Sequence, residues 1–461
     1  MADCKPPFYT WDRIMLLKFR VSNYRSFKEE AEFSTLATRL DRGFGVPVVV
    51  AADGTTADVL PIVAVLGANA SGKSNLLRAM AAMRDLVLNS AARPVFRRLE
   101  IEPFLLDPSY SDEPTLMEIN FALKGARYQY GFEVQHGRVI EEWLQTFPHK
   151  RPQNIFDRQN TDDFQLKDGF GRFGKFLTDT TRPEVLFLSA AASTGHPLLS
   201  EIYQFFVDNL QVLDVADRGQ LDDALVGRLL KRRDKAVELL SIADLGIMDA
   251  HVESASRSLE EQERLRSLII GTMEFPDDLS DEEREVHVAN MMQAISQEEP
   301  TLELVHRAGR RAVRLPFDQE SHGTKSWLSF VAHALEVIDV GGILLIDELD
   351  ASIHPLLLAH ALRLFQSRET NPNGAQLIFS THDVTLLGGT GDALDRYHLS
   401  RGQVWLTEKG RDGGSHLIPL AEYKPRKGED LVRGYLQGRY GGTPHLVPMS
   451  AEAIPKRQIR G

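Results

Sequence analysis

Cysteine is nearly absent from this 461-residue sequence, which contains only Cys4. A single thiol excludes a disulfide within the chain, so we expect a reducing, cytosolic compartment. No apolar run approaches the roughly 18 residues of a membrane-spanning helix. The N-terminal stretch MADCKPPFYTWDR also lacks the basic-then-apolar order of a signal peptide. These absences predict a cytoplasmic protein that has no membrane partner.

An excess of positive charge is also missing, because the formal net charge is −12. An acidic surface disfavours a protein that coats nucleic acid non-specifically, but it leaves a local basic groove open. One basic cluster exists, formed by Lys231, Arg232, Arg233 and Lys235. Its two interpretations are a nucleic-acid contact and a solvated helix face, and the second is the more common role of such a cluster.

The order of the predicted elements indicates an α/β fold, because a buried strand, a loop and a helix follow one another twice. The first strand of this kind, VLPIVAVLG, is continuously apolar, which is typical of a strand covered on both faces. We divide the chain into an N-terminal lobe (1–194), a mainly helical insertion (195–300), a C-terminal lobe (301–400) and a C-terminal extension (401–461). The insertion shows no sustained heptads, which argues against a long coiled coil.

Three alternating runs between residues 114 and 143 predict an antiparallel meander inside the N-terminal lobe. They are separated by KGA and QHGR, which are hairpin signals. The apolar run EVLFLSAA ends this region.

A phosphate-binding loop is the strongest chemical signal in the chain. GANASGKS matches G-x-x-x-x-G-K-[ST] and lies between a buried strand and a helix, as this motif requires. Glycines let backbone N–H groups surround phosphate oxygens, the lysine reaches the β- and γ-phosphates, and the final hydroxyl ligates Mg²⁺. The predicted nucleotide-binding residues are Gly67, Ala68, Asn69, Ala70, Ser71, Gly72, Lys73, Ser74 and Asn75.

Two further apolar strands end in polar residues. ILLIDE delivers Asp347, a candidate Mg²⁺ ligand, and Glu348, a candidate general base for an attacking water. LIFSTHD ends at His382, which could contact a γ-phosphate. The alternative interpretations are a helix cap for the acidic pair and an ordinary structural histidine.

The stretch ESHGTKSWL places hydroxyls and a glycine at the start of an amphipathic helix. The simple interpretation is an N-cap. The second is an anion site that closes on the γ-phosphate bound by another copy of the chain, with Ser321, Gly323 and Thr324 as the contacts.

These motifs in this order resemble the ABC-type ATPase heads of the SMC and RecF group. More closely, the chain is similar to the AAA-labelled, OLD-like bacterial ATPases of phage-defence and abortive-infection operons. The resemblance extends from Met15 to about Leu446. The segments that carry it are KFRVSNYRSFKE, GANASGKSNLL, EPFLLD, ESHGTKSWL, LLIDELDASIHPLL, LIFSTHD and GRYGGTPHL.

The resemblance implies an ABC-type head with a mainly parallel phosphate-loop sheet, an antiparallel β subdomain and a helical insertion. It implies ATP and Mg²⁺ as cofactors, with Ser74 and Asp347 holding the metal. Glu348 would be the catalytic glutamate and His382 the switch histidine.

The same resemblance implies a homodimer or higher oligomer, with ATP held between heads. Ser321, Gly323 and Thr324 would then act in trans, and Asp350 to His354 would cross the dimer interface. Arg25 is implied to lie near the nucleotide.

The chain also departs from the wider family. Its signature is not the LSGGQ of transporters, and for the Q-loop glutamine the sequence offers only Gln145 and Gln153 as candidates. Related OLD nucleases continue into a metal-binding nuclease domain, whereas only roughly 80 residues follow His382 here. We therefore expect any nuclease to be a separate polypeptide.

The function that we predict is Mg-dependent ATP hydrolysis in an anti-phage system that senses or regulates a separate toxic effector. A phage-derived trigger and nucleic acid are candidate ligands. The alternatives are a RecF- or SMC-like ATPase that clamps or repairs DNA, and a scaffold that binds nucleotide without hydrolysing it.

Overall fold

The computed structural model describes residues 13–443, with gaps at 42, 95–97, 150, 168–169, 215–219, 221–222, 244–245, 255–263, 265–266, 268–299, 389–397 and 424–429. The acidic runs SLEEQER and DDLSDEERE of the insertion therefore lie almost wholly outside the described residues. The last three residues of GRYGGTPHL do so too.

The strands are numbered in chain order. They are β1 Met15–Ser22, β2 Ala31–Ser34, β3 Val46–Val49, β4 Thr56–Val59, β5 Ile62–Gly67, β6 Thr115–Leu123, β7 Ala126–Gln135, β8 Arg138–Thr146, β9 Gln153–Gln159, β10 Asp163–Leu166, β11 Leu210–Leu213, β12 Ile247–Ser254, β13 Pro300–Ala308, β14 Arg311–Pro316, β15 Ile343–Ile346, β16 Gln376–Thr381, β17 Val404–Lys409 and β18 Ser415–Pro419.

The α-helices are numbered in the same way. They are α1 Lys73–Asn89, α2 Gly171–Thr180, α3 Phe187–Ser193, α4 Pro197–Gln204, α5 Asp223–Lys231, α6 Arg233–Ile242, α7 His322–Val340, α8 Pro355–Gln366 and α9 Leu431–Leu436. The fold is therefore mixed α/β, with several sheets.

One six-stranded sheet contains the strand that precedes the phosphate loop. Its order is β11-β15-β16-β5-β17-β18. Every neighbouring pair is parallel except β17–β18. All residues of β5, β15 and β16 are buried, which explains why these strands are continuous apolar runs rather than alternating ones. Because β5, β16 and β15 are parallel neighbours, their C-terminal ends meet at one edge of the sheet.

The largest sheet is antiparallel and has seven strands, in the order β10-β9-β8-β7-β6-β1-β2. Its centre is the predicted meander, β6 to β8. The two hairpin turns have left-handed backbone angles at Lys124 and Gly125 and again at His136 and Gly137, as a twisted two-residue turn requires.

A hydrophobic core joins helix α1 to both of these sheets. It contains Leu76 and Met80 from α1, Val63 and Val65 from β5, and Phe121 from β6. Because each fully buried aliphatic or aromatic side chain stabilises the fold by roughly 1.5–3 kcal/mol, this core fixes the position of α1 and the loop before it.

Three short segments have a structure that the sequence did not lead us to assign. The second part of EVLFLSAA begins helix α3, because its alanines favour a helix and the Glu142 carboxylate accepts the N–H groups of Phe187 and Leu188 at the start of that helix. Within residues 195–300, β11 and β12 are strands inside a stretch that we predicted to be mainly helical. β11 has only four residues, and a run this short carries no period that separates strand from helix.

The chain forms two compact units, residues 1–215 with 337–461, and residues 216–336. The second unit contains the three-stranded antiparallel sheet β12-β13-β14, helices α5 and α6, and α7 up to Glu336. Its buried Trp327 donates an indole hydrogen bond to the carbonyl oxygen of Leu239 at 3.3 Å. Among the described residues, no helix is long and apolar enough to cross a membrane.

Candidate nucleotide site

The backbone between β5 and α1 explains the two glycines of the phosphate loop. Gly72 has φ +114, and a Cβ there would collide with the side chain of Ser415. A Cβ on Gly67 would lie 2.6 Å from both the Ser71 hydroxyl and the Thr407 carbonyl oxygen. Glycine is therefore required at both positions. Gly72 also begins α1 without a side-chain cap, so the first N–H groups of that helix are available to an anion.

Lys73 lies beneath this loop and is 5% exposed. Its Nζ donates to the carbonyl oxygens of Gly67 at 2.8 Å and Ala68 at 3.0 Å. Burial lowers the pKa of Lys73 to about 8, while the carboxylates of Asp347, Glu348 and Asp350 act in the opposite direction. The structure thus brings the lysine of the loop close to the acidic groups that follow β15.

Ser74 and Asn75 form the first turn of α1 and are half-buried. The Asn75 amide donates to the Ser26 hydroxyl at 2.8 Å. The described residues contain no group of three or more His, Cys, Asp or Glu side chains arranged as metal ligands. A Mg²⁺ site here would use Ser74, Asp347, water and phosphate oxygens, which suits an ion that keeps several waters and few protein ligands.

The acidic pair occupies the end of β15. Asp347 is 7% exposed and accepts a hydrogen bond from the Ser380 hydroxyl at 2.5 Å. Glu348 is half-buried, has a left-handed φ of +50°, and donates its backbone N–H to the same hydroxyl at 2.7 Å. A non-glycine residue in this conformation is strained, and Ser380 helps to hold it. Ser380 is part of the segment LIFSTHD, but that segment alone does not predict this role.

His382 follows β16 and is exposed. Its backbone N–H donates to both carboxylate oxygens of Asp350, at 3.3 and 3.2 Å. Farther along the same loop, Ser352 has φ +65 and the His354 ring accepts the N–H of Leu356, which caps α8. The Asp350–His354 loop is therefore tied to the His382 segment at one end and to α8 at the other.

Ser321 and Thr324 form an N-cap, which was the simpler of the two interpretations. The Ser321 hydroxyl accepts the Thr324 N–H at 3.1 Å, and the two hydroxyls lie 2.8 Å apart. Thr324 is buried, whereas Ser321 is exposed and Gly323 is half-buried. These residues belong to the unit formed by residues 216–336, whereas the phosphate loop belongs to the other unit.

The remaining predicted residues lie in or beside the seven-stranded sheet. Gln145 is in β8 and donates to Asn154 of β9 at 2.9 Å, and Gln153 begins β9. Arg25 has φ +49 and forms an ion pair with Glu102 at 3.0 Å. The structure assigns neither glutamine a contact with the phosphate loop.

Sequence reasoning missed several polar residues that support the loop. The Ser71 and Thr407 hydroxyls lie 2.5 Å apart, and Ser415 donates to the Ser71 carbonyl oxygen at 2.7 Å. The Ser415 N–H also donates to the Ser26 carbonyl oxygen at 2.7 Å. These residues come from β17, β18 and the turn after β1, so no local motif could connect them to the loop.

A family model described as "AAA domain, putative AbiEii toxin, Type IV TA system" matches residues 62–388. The match covers the phosphate loop, the acidic pair and His382. A search of curated proteins finds no match.

Solved structures that are similar to this chain include the SMC head domain from Thermotoga maritima. It is 12% identical, with a TM-score of 0.37, and the alignment covers 88% of this chain and 98% of that one. The Smc head domain of Pyrococcus furiosus, solved with an extended coiled coil and bound to the C-terminal domain of ScpA, is 13% identical. Its TM-score is 0.37, with 88% of this chain and 96% of that one covered.

Proposed function

Because the chain belongs to the family described as "AAA domain, putative AbiEii toxin, Type IV TA system", we propose that it binds ATP with Mg²⁺ and hydrolyses it. The observation that carries this proposal is the convergence of Lys73 with Asp347 and Glu348. Their charges act on one another at a single edge of the six-stranded sheet. The described residues supply both a phosphate cradle and an acidic pair at that edge.

Each residue has a role that follows from its position. Lys73 holds the β- and γ-phosphates, and the N–H groups at the start of α1 bind their oxygens. Glu348 accepts a proton from the attacking water, and His382 contacts the γ-phosphate. Mg²⁺, when bound through Ser74 and Asp347, neutralises charge on the phosphates.

The direct test is hydrolysis of ATP by the purified chain, with and without Mg²⁺, beside the variant Lys73→Ala. We expect Mg-dependent release of phosphate by the native chain and none by the variant. Equal turnover by both proteins would contradict the proposal.

We further propose an ABC-type head that works as a homodimer or a higher oligomer. The parallel order β17-β5-β16-β15-β11 supports such a head. The exposed Ser321 and the helix start behind it would meet the γ-phosphate bound by the other subunit, with Gly323 beside it and Thr324 buried behind the cap.

Mixing two inactive variants tests action in trans. Ser321→Asp keeps a capping oxygen but adds a charge that repels phosphate, and Ser321→Asn keeps the cap without the charge. We expect Ser321→Asp and Lys73→Ala each to be inactive alone. Mixed together they should regain turnover, because one composite site then has both native parts. Absence of recovery, with Ser321→Asn active, would contradict the dimer.

At the level of the cell, we propose an anti-phage role in the cytoplasm, in which nucleotide state controls a separate toxic effector, most simply a nuclease. The family description, which names a putative toxin, supports a toxin partner. Closure on nucleotide would supply two states that a phage-derived trigger could bias by a few kcal/mol. Co-purification of the product of an adjacent gene that alters ATP turnover is the expected result. Full biological activity of the isolated chain would contradict it.

The alternative is a RecF- or SMC-like ATPase that clamps DNA through the basic cluster. The structure weakens this alternative, because Arg233 is paired with both carboxylate oxygens of Asp249, at 2.8 and 2.9 Å. Lys231 remains exposed. Salt-dependent DNA binding that is lost on reversing Lys231 and Lys235 would favour the alternative.

A further inference from the structure

The described part of the C-terminal extension contains a turn that only glycine can form easily. After α9, Gly438, Gly441 and Gly442 have φ values of +73, +71 and +68. Such left-handed angles strain any residue that carries a Cβ. We call residues Gly441–Thr443 the glycine turn.

The glycine turn lies directly against the phosphate loop. An added Cβ on Gly442 would be 3.7 Å from Cα of Gly67 and 3.4 Å from the Thr407 carbonyl oxygen. The buried Tyr435 hydroxyl of α9 donates to the Gly442 carbonyl oxygen at 2.9 Å, which fixes the turn in place. The contact thus joins one end of the chain to the first glycine of the nucleotide motif.

A cavity of about 270 Å³ opens between the loop and the turn. It is lined by Ala68, Asn69 and Ser71 of the loop, by Thr407, Glu408 and Lys409 of β17, and by Gly442 and Thr443 of the turn.

Three of the polar residues that line this cavity, Lys409, Thr443 and Asn69, suit an anion that accepts hydrogen bonds, whereas Glu408 contributes an acidic group to the same lining. Lys409 is exposed and has no ion pair within the part of the chain that the structure describes. Thr443 adds a hydroxyl and Asn69 an exposed carboxamide. Phosphoryl oxygens accept from all three kinds of donor.

We propose that the glycine turn is a wall of the nucleotide pocket of its own subunit, with Lys409 and Thr443 contacting phosphoryl oxygens of a bound nucleoside triphosphate. This inference rests on the proposed function, because it needs a nucleotide in the phosphate loop. It makes the C-terminal extension part of the site, a role that the sequence GRYGG alone does not reveal.

The turn also connects the pocket to the segment after His382. Helix α9 packs against the 3-10 turn Val384–Leu387, which follows His382 and Asp383. A nucleotide that holds the glycine turn would therefore also hold α9 against this segment.

The experiment measures equilibrium binding of a fluorescent ATP analogue, with Mg²⁺, to the full chain and to variants. Lys409→Met removes the charge and keeps the stem, Thr443→Val removes the hydroxyl at constant volume, and Gly442→Ala strains the turn. The matched controls are Lys167→Met, an exposed lysine after β10, and Gly195→Ala, which has φ +79 and open space around it. Circular dichroism and thermal unfolding establish that each variant is folded.

We expect Lys409→Met to weaken binding at least about tenfold, because it removes a hydrogen bond between two charged groups, and Thr443→Val to weaken it about threefold, because it removes a neutral donor. Gly442→Ala should weaken binding at least about tenfold, because the added Cβ strains the turn. The controls should bind like the native chain. Native affinity in all three variants, while Lys73→Ala fails to bind, would overturn this inference and leave the proposed function standing. Failure of the native chain itself to bind would instead overturn the proposed function.

Discussion

The Ser380 hydroxyl holds Asp347 and Glu348 together, donating to the Asp347 carboxylate at 2.5 Å and accepting the Glu348 N–H at 2.7 Å. One side chain from β16 thus orients both members of the acidic pair that follows β15. This relationship is possible because the two strands are parallel neighbours, with Ile346 opposite Phe379. The same serine therefore positions both the proposed metal ligand, Asp347, and the proposed base, Glu348.

We predict that Ser380→Ala lowers ATP turnover about ten- to hundredfold, since a misplacement of about 1 Å can cost that much rate. Binding of ATP should change less than turnover, because the phosphate loop is untouched. The control is Ser189→Ala, which removes another buried serine that donates to a backbone carbonyl at 2.6 Å. The Ser189→Ala variant should lose about as much free energy of unfolding as Ser380→Ala, but it should keep native turnover. Equal turnover in Ser380→Ala and the native chain would show that the serine does not orient the pair.

The pKa of Lys73, lowered to about 8 by burial, predicts how ATP binding depends on pH. A triphosphate favours the charged amine, whereas the free site loses that charge as pH rises through 8. Affinity should therefore be greatest below pH 8 and fall above it, with proton uptake on binding. Calorimetry at pH 8.5 in two buffers with different ionisation enthalpies measures that uptake. Identical binding heats in the two buffers would contradict the assigned pKa.

The same group predicts how stability depends on pH without nucleotide. The folded pKa lies below the ordinary value of 10.5, so the unfolded chain holds the proton between about pH 8 and 10.5 while the folded chain does not. Unfolding therefore takes up a proton in this window. The contribution of Lys73 to the free energy of unfolding consequently rises with pH between about pH 8 and 10.5. Denaturant unfolding should show that rise in the native chain and a smaller one in Lys73→Met. If the free energies of unfolding of the native chain and of Lys73→Met changed in parallel with pH, this prediction would be contradicted.

A buried network in the antiparallel sheet predicts a stability effect without a direct effect on chemistry. The fully buried Glu142 accepts from the Tyr130 hydroxyl at 3.0 Å and lies 3.7 Å from Arg158. Burial raises the pKa of Glu142, with Arg158 opposing that shift. Removing one partner of such a pair leaves an uncompensated group in the core.

We predict that Glu142→Ala lowers the free energy of unfolding by about 3–5 kcal/mol. Urea unfolding measures this loss, and the exposed neighbour Glu141→Ala provides the control, with an expected change within about 0.5 kcal/mol. Turnover per folded molecule should stay native. Equal stability of the two variants would contradict the structural role of the network.

Local motifs made part of this site predictable from the sequence. The phosphate loop needs glycine at two backbone positions and a lysine beneath it, and all these residues are neighbours in the chain. The same holds for the N-cap at Ser321, which one helical turn defines. The strand runs around Asp347 and His382 were recognisable because strands buried on both faces are continuously apolar.

Long-range contacts escaped prediction. Ser415 and Gly442 reach the phosphate loop from the far end of the chain, and nothing in their own neighbourhoods shows that destination. Strand β11 was missed because four residues show no period, although it completes one edge of the six-stranded sheet. The glycine spacing of GRYGG is visible in the sequence, but the left-handed φ angles of these glycines and the packing of Gly442 against Gly67 are not.

The most direct test of the central claim compares Glu348→Gln with the native chain in ATP binding and in turnover. The amide keeps the shape of the side chain but cannot accept a proton from water. We predict native affinity for ATP with Mg²⁺ and turnover lowered at least about a hundredfold, while the exposed control Glu369→Gln keeps both. Native turnover in Glu348→Gln would contradict the claim that this acidic pair hydrolyses ATP.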